Sequence, residues 1–156
     1  MVVESTLDLG YLGSFLGARM NELVRARGAA CGFPGLRDSY GYVIQHLIEK
    51  DRTVSELAVR MEISQQAVSK FVSELARHEV IEYVPMKDRR VTGVRLSKRG
   101  WEAVRFARKT RTQLGRRMQK AVGRRRYEEA QQILAACLAA LGGVDRVRTR
   151  RVSLPR

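Results

Sequence analysis

Six polar side chains, Ser64, Gln65, Gln66, Ser69, Lys70 and Ser73, stand at spacings that put them on one face of a helix. The opposite face carries the apolar pairs Ala67/Val68, Phe71/Val72 and Leu75/Ala76. Glutamine donates and accepts, as an adenine edge requires; serine reaches a base or a phosphate, and lysine reaches guanine or a phosphate oxygen. This is the side-chain set of a helix laid in a DNA major groove. The same face would also suit any amphipathic helix exposed to water, so the neighbouring elements must decide between the two. A second cluster, Lys87-Asp88-Arg89-Arg90, puts three cations around one carboxylate. A guanidinium at such a tip suits the narrow minor groove, where the negative potential is enhanced.

The elements that would position these clusters can be read from capping and periodicity. Thr53-Val54-Ser55-Glu56 fits a capping box, after which Leu57, Ala58 and Met61 face inward on a short helix. The chain breaks at Ile63-Ser64, and Ser64 caps the polar-faced helix, so the two helices form a helix-turn-helix. Two strand-like runs follow, Val80 to Pro85 and Val91 to Leu96, with the basic cluster at the tip between them. A basic-tipped hairpin directly after a helix-turn-helix makes a winged helix. The expected fold is therefore mainly α with a small β-hairpin wing.

Long helices flank this unit. Leu9, Leu12, Leu16, Met20 and Leu23 recur with helical period up to about Arg27, and Gly28 to Gly35 reads as a break. A second helix is predicted from Leu36 to Glu49. Beyond the wing, Ser97 caps a helix over Lys98 to Val122, and another runs from about Tyr127 to Leu141. The predicted organisation is an N-terminal dimerisation helix and connection over 1–35, the winged helix-turn-helix over 36–97, C-terminal dimerisation helices over 98–143, and a loose basic tail over 144–156. The first, fifth and sixth helices have apolar stripes remote from the winged helix, so pairing them across a two-fold axis would bury both copies.

Composition narrows the class of partner. Thirty basic residues against 16 acidic give a net charge of +14 in a chain of 156 residues. Residues 1–86 hold 9 basic and 11 acidic side chains, a net of −2; residues 87–156 hold 21 and 5, a net of +16. That asymmetry predicts an anionic partner, double-stranded DNA first. The longest apolar run, Ile133 to Leu141, is far short of the about 20 residues a membrane span needs, and Met1 to Gly10 lacks a secretory pattern. A cytoplasmic protein without a membrane partner is expected. Cys31 and Cys137 lack disulfide or metal spacing. With only His46 and His78 and no phosphate loop, the sequence offers no catalytic residue, metal ligand or cofactor site, and no enzyme is expected.

Three ordered blocks then resemble the MarR family of winged-helix transcription factors. They are Ser55-Glu56-Leu57-Ala58; Ser64 to Lys70 with Leu75; and Asp88-Arg89-Arg90 with Val94-Arg95-Leu96-Ser97 and Gly100. The resemblance spans about residues 8–141. It departs at Glu79, where the family often has glycine, at Tyr83, where it often has arginine, and in a wing about one residue short before Asp88. The resemblance implies a homodimeric DNA-binding regulator, a repressor by the family's commoner mode, on an inverted-repeat operator. It implies that Asp88 positions a wing arginine through a charge-assisted pair. It also implies a small aromatic or phenolic effector in a cleft between dimer helices and winged helix, for which Phe15, Tyr40, Tyr42, Val43 and His46 are the candidate lining. The competing reading is a sequence-tolerant architectural or nucleoid-associated protein coating phosphates with its basic half.

Overall fold

A computed structural model of the chain describes residues 7–144 apart from Pro34, Leu36 and Arg89. Among the described residues, six helices and three strands follow the order α1 (Leu9–Ala30), α2 (Tyr40–Leu47), β1 (Arg52–Thr53), α3 (Val54–Met61), α4 (Gln65–Arg77), β2 (Ile81–Pro85), β3 (Thr92–Leu96), α5 (Lys98–Val122) and α6 (Arg124–Ala140). The strands form an antiparallel sheet in the order β1-β3-β2. The expected mainly α fold with a hairpin wing is the observed one. The predicted tail beyond Val144 lies outside the described residues.

Side-chain caps set most of the helix starts. Thr53 Oγ1 accepts from the Glu56 N–H at 3.1 Å while Glu56 accepts from the Thr53 N–H at 2.8 Å, completing the capping box. That backbone hydrogen bond holds the Glu56 carboxyl below its ordinary value of 4.5. Ser64 Oγ caps α4 by accepting from the Ala67 N–H, and Ser97 Oγ caps α5 by accepting from the Gly100 N–H. The core lies between α2, α3, α4 and the sheet, where Val43, Leu57, Val68, Val72, Leu75, Val80 and Val94 are almost wholly buried.

Four boundaries differ from the sequence-based expectation. Gly28 does not break α1 but lies inside it, buried, and a Cβ there would make only an ordinary contact, 3.7 Å from the Phe106 ring. The turn comes later, at Gly32, where φ is +90°. α2 is shorter at both ends than the expected Leu36 to Glu49: it spans Tyr40–Leu47, with Arg37, Asp38 and Ser39 before it outside the helix. β1, only two residues long, gives no periodic signal; it is anchored by Arg52, 2% exposed, which donates to the His46 carbonyl at 3.0 Å and to Glu49 at 2.7 Å. α6 begins at Arg124, where Arg124–Glu128 and Arg125–Glu129 pairs at i,i+4 support its first turns.

Glu79 has φ +57° just past the end of α4. That left-handed position is the one glycine adopts without strain, the physical basis of the departure noted above. Its carbonyl still accepts from Ser97 Oγ at 2.5 Å, tying the end of α4 to the start of α5.

Candidate nucleic-acid interface

α4 owes its orientation to its buried side. Val68, Val72 and Leu75 sit at 0–1% exposure against the core. Ser64, Gln65, Gln66, Ser69, Lys70 and Ser73 are consequently all exposed on the other side. The six residues singled out from the sequence therefore form one continuous polar surface.

The wing is a register-locked hairpin. Glu82 pairs with Arg95 across the strands, with Arg95 Nε donating to Glu82 at 2.6 Å. Beyond Pro85 the tip is closed by the Met86 N–H to the Val91 carbonyl at 3.0 Å and the Val91 N–H to the Asp88 carbonyl at 2.9 Å. Asp88 Oδ1 accepts from the Arg90 backbone N–H at 3.0 Å. Asp88 therefore fixes the tip through the backbone of Arg90; the expected pair with a wing arginine involves Arg89 as well, which lies outside the described residues. Lys87, Asp88 and Arg90 are exposed; Arg89, the fourth predicted wing residue, lies outside the described residues.

The predicted effector cleft is only partly assembled from the predicted residues. A cavity of about 470 Å³ lies between α1, α2, the connection joining them, and α5. Tyr40 and Tyr42 line it with Phe33 and Phe106; Arg37 and Arg108 supply cations, while Arg25 is paired with Asp38, which also lines it. Val43 and His46 do not line it, because they share the inward side of α2 and are buried at 0% and 2% exposure. Phe15 does not line it either: it lies more than one turn up α1 from Asn21, 59% exposed, with its ring 4.9 Å from that of Tyr11.

Two links from this cavity to α4 had no local signal in the sequence. The Tyr40 hydroxyl donates to Glu74 of α4 at 2.7 Å. Burial, reinforced by that carboxylate, raises the Tyr40 pKa, while the bond lowers that of Glu74. Arg99 of α5 lies over the Phe33 ring at 5.2 Å and donates to the carbonyls of Gly32 and of His78, the residue that caps the C-terminus of α4. Both links join residues far apart in the chain. Among the described residues no helix is long and apolar enough to cross a membrane, and no group of three or more His, Cys, Asp or Glu could hold a metal.

The helix-turn-helix, the three-stranded sheet with its wing, and the long flanking helices can now be compared with known folds. RV1404 from Mycobacterium tuberculosis is similar at 19% identity and a TM-score of 0.70, over 90% of this chain and 97% of that one. The reduced form of MarR from E. coli is similar at 16% identity and a TM-score of 0.70, over 86% and 99%. The fold is that of the MarR regulators. A MepR mutant from S. aureus bound to an oligodeoxyribonucleotide shares the MarR fold at 15% identity and a TM-score of 0.61, over 86% and 99%. No sequence-family model matches the chain, and no curated protein matches it by sequence. The MarR likeness thus rests on shape across nearly the full chain.

Proposed function

We propose that this protein is a DNA-binding transcriptional regulator that reads an inverted-repeat operator as a homodimer and represses from it. One observation carries the reading: α4 presents an unobstructed polar face on the same small domain as a wing tipped by exposed Lys87 and Arg90. A helix of this kind enters the major groove while the wing arginine enters the adjacent minor groove. The similarity to an oligodeoxyribonucleotide-bound MepR supports it. Catalysis has no place in this reading.

The dimer follows from unmet burial. α6 contains no buried residue, and Ile133, Leu134, Leu138 and Leu141 are 40–86% exposed. α1 likewise exposes Leu9, Tyr11, Leu12, Phe15 and Leu16. Isologous pairing of these faces would remove both from water and bring two α4 helices to half-sites about 10 bp apart. Footprinting on the protein's own chromosomal DNA, with sedimentation at micromolar concentration, tests both points. Paired protected half-sites and a dimer are expected; a monomer that protects no discrete site would sink the reading.

The cavity supports the proposal of a small aromatic or phenolic effector, since its volume and aromatic lining are those of a ligand site. The cations at its rim favour an acidic group on that ligand. Tyr40 both lines the cavity and holds Glu74, so occupancy there would be felt at α4. Phenolic acids at about a hundredfold excess over Kd are expected to raise the thermal midpoint by roughly 5–10 °C. No shift for any of them would leave the cavity without this role.

A further inference from the structure

α5 carries nine basic residues and a single acid, Glu102, over 25 residues. Five of them, Lys98, Arg105, Lys109, Arg116 and Lys120, recur at alternating intervals of seven and four. An 11-residue repeat corresponds to about 3.67 residues per turn, so these side chains form a nearly straight stripe about 33 Å long. All five are exposed, and none makes an ion pair or hydrogen bond among the described residues. The opposite side of α5 buries Ala103, Thr110 and Leu114.

Fold stability does not account for the stripe. Arg105/Lys109 and Arg116/Lys120 are like-charged pairs at i,i+4, each unfavourable in an isolated helix. The next helix shows the contrasting arrangement, with Arg124 and Arg125 each neutralised by a glutamate one turn on. Dimer burial does not account for it either, because a two-fold copy would press unpaired cations against their own kind. An interfacial membrane helix needs an apolar face free for lipid, and that of α5 is committed to the protein interior. Charge complementarity along a line favours a regular polyanion.

The chain path separates this stripe from the base-reading surface. The wing tip lies at one end of the β2–β3 hairpin, and α5 departs from the other end at Ser97. Arg116 is then about 27 Å further along the helix. We propose that the outward face of α5 binds the phosphate backbone of a second duplex DNA segment without sequence preference, while α4 and the wing hold the first. The first half of that arrangement rests on the proposed function; the second is a separate surface, by which the protein would bridge two stretches of DNA.

A capture assay tests it. The full-length protein is bound to an immobilised duplex, and a fluorescent random-sequence duplex is added. Binding to the first duplex reads the proposed function; retention of the second reads the stripe. The variant R105Q/K109Q/R116Q/K120Q is expected to keep its thermal midpoint and its hold on the first duplex while retaining at least tenfold less of the second. The salt dependence of that retention should fall by about 3–4 in slope, at about 0.9 per lost contact. Unchanged retention would assign bridging to the two winged helices and overturn the proposal. Loss of first-duplex affinity with a shortened footprint would overturn it by laying the stripe along the same DNA. So would intact retention together with lost binding to phosphatidylserine vesicles.

Discussion

Replacing Gly100 by alanine is expected to destabilise the fold by about 3 kcal/mol, lowering the thermal midpoint by roughly 6–12 °C. A Cβ at this position would stand 2.1 Å from the Val80 carbonyl oxygen, 3.1 Å from its carbon and 3.2 Å from Leu96 Cδ2. The first two atoms are backbone, and the oxygen already accepts from the Ser97 N–H at 3.1 Å. Moving Val80 would also disturb its own N–H, which bonds to the Leu75 carbonyl at 2.9 Å at the end of α4. The clash therefore reaches α4, β2, β3 and α5 together, at the junction that aims the wing. DNA affinity should fall with stability, because the hairpin and α4 lose their common anchor. A calorimetric midpoint within about 2 °C of the parent would show that α5 can lift off the hairpin freely.

Gly100 was legible in the sequence only as part of a motif; its reason is a contact between segments far apart in the chain. The same division runs through the rest of the molecule. Ser64, Ser97 and the Thr53/Glu56 box act within one helical turn, so α3, α4 and α5 could be placed from local chemistry. The polar face of α4 followed, since a 3.6-residue period that buries Val68, Val72 and Leu75 must expose Gln65, Gln66, Ser69 and Lys70. β1 was not legible, because a two-residue strand is defined by its partners Gly93 and Val94 rather than by any pattern of its own.

The cavity shows the limit most clearly. Aromatic and histidine residues of α1 and α2 were natural candidates for its wall. Helical geometry instead turns Val43 and His46 into the core, while α5 and the α1–α2 connection contribute Phe106 and Phe33. Sequence spacing within one helix cannot report which neighbouring helix completes a concave surface. Nor can it report that Tyr40 reaches Glu74, the contact on which communication between cavity and α4 would depend.

The combined variant Gln66→Ala, Lys70→Ala and Arg90→Ala is expected to weaken binding to the footprinted operator by about a thousandfold, ~4 kcal/mol. Gln66 offers a bidentate contact to adenine, worth about 1–3 kcal/mol when well aligned. Lys70 and Arg90 supply cations on two different elements, so their losses should add. Arg90→Ala alone is expected to account for at least tenfold, about 1.4 kcal/mol. All three side chains are exposed, and the Arg90 contact to Asp88 is made by its backbone, so the thermal midpoint should not move. The signature separating base reading from charge lies in the salt dependence. Loss of Lys70 and Arg90 should reduce the slope by about 2, whereas Gln66→Ala alone should leave it unchanged and relax sequence preference at one position. An operator affinity within tenfold of the parent would mean that α4 and the wing do not face the DNA. The charge on α5 would then be the protein's principal hold on nucleic acid, the behaviour of a sequence-tolerant architectural protein.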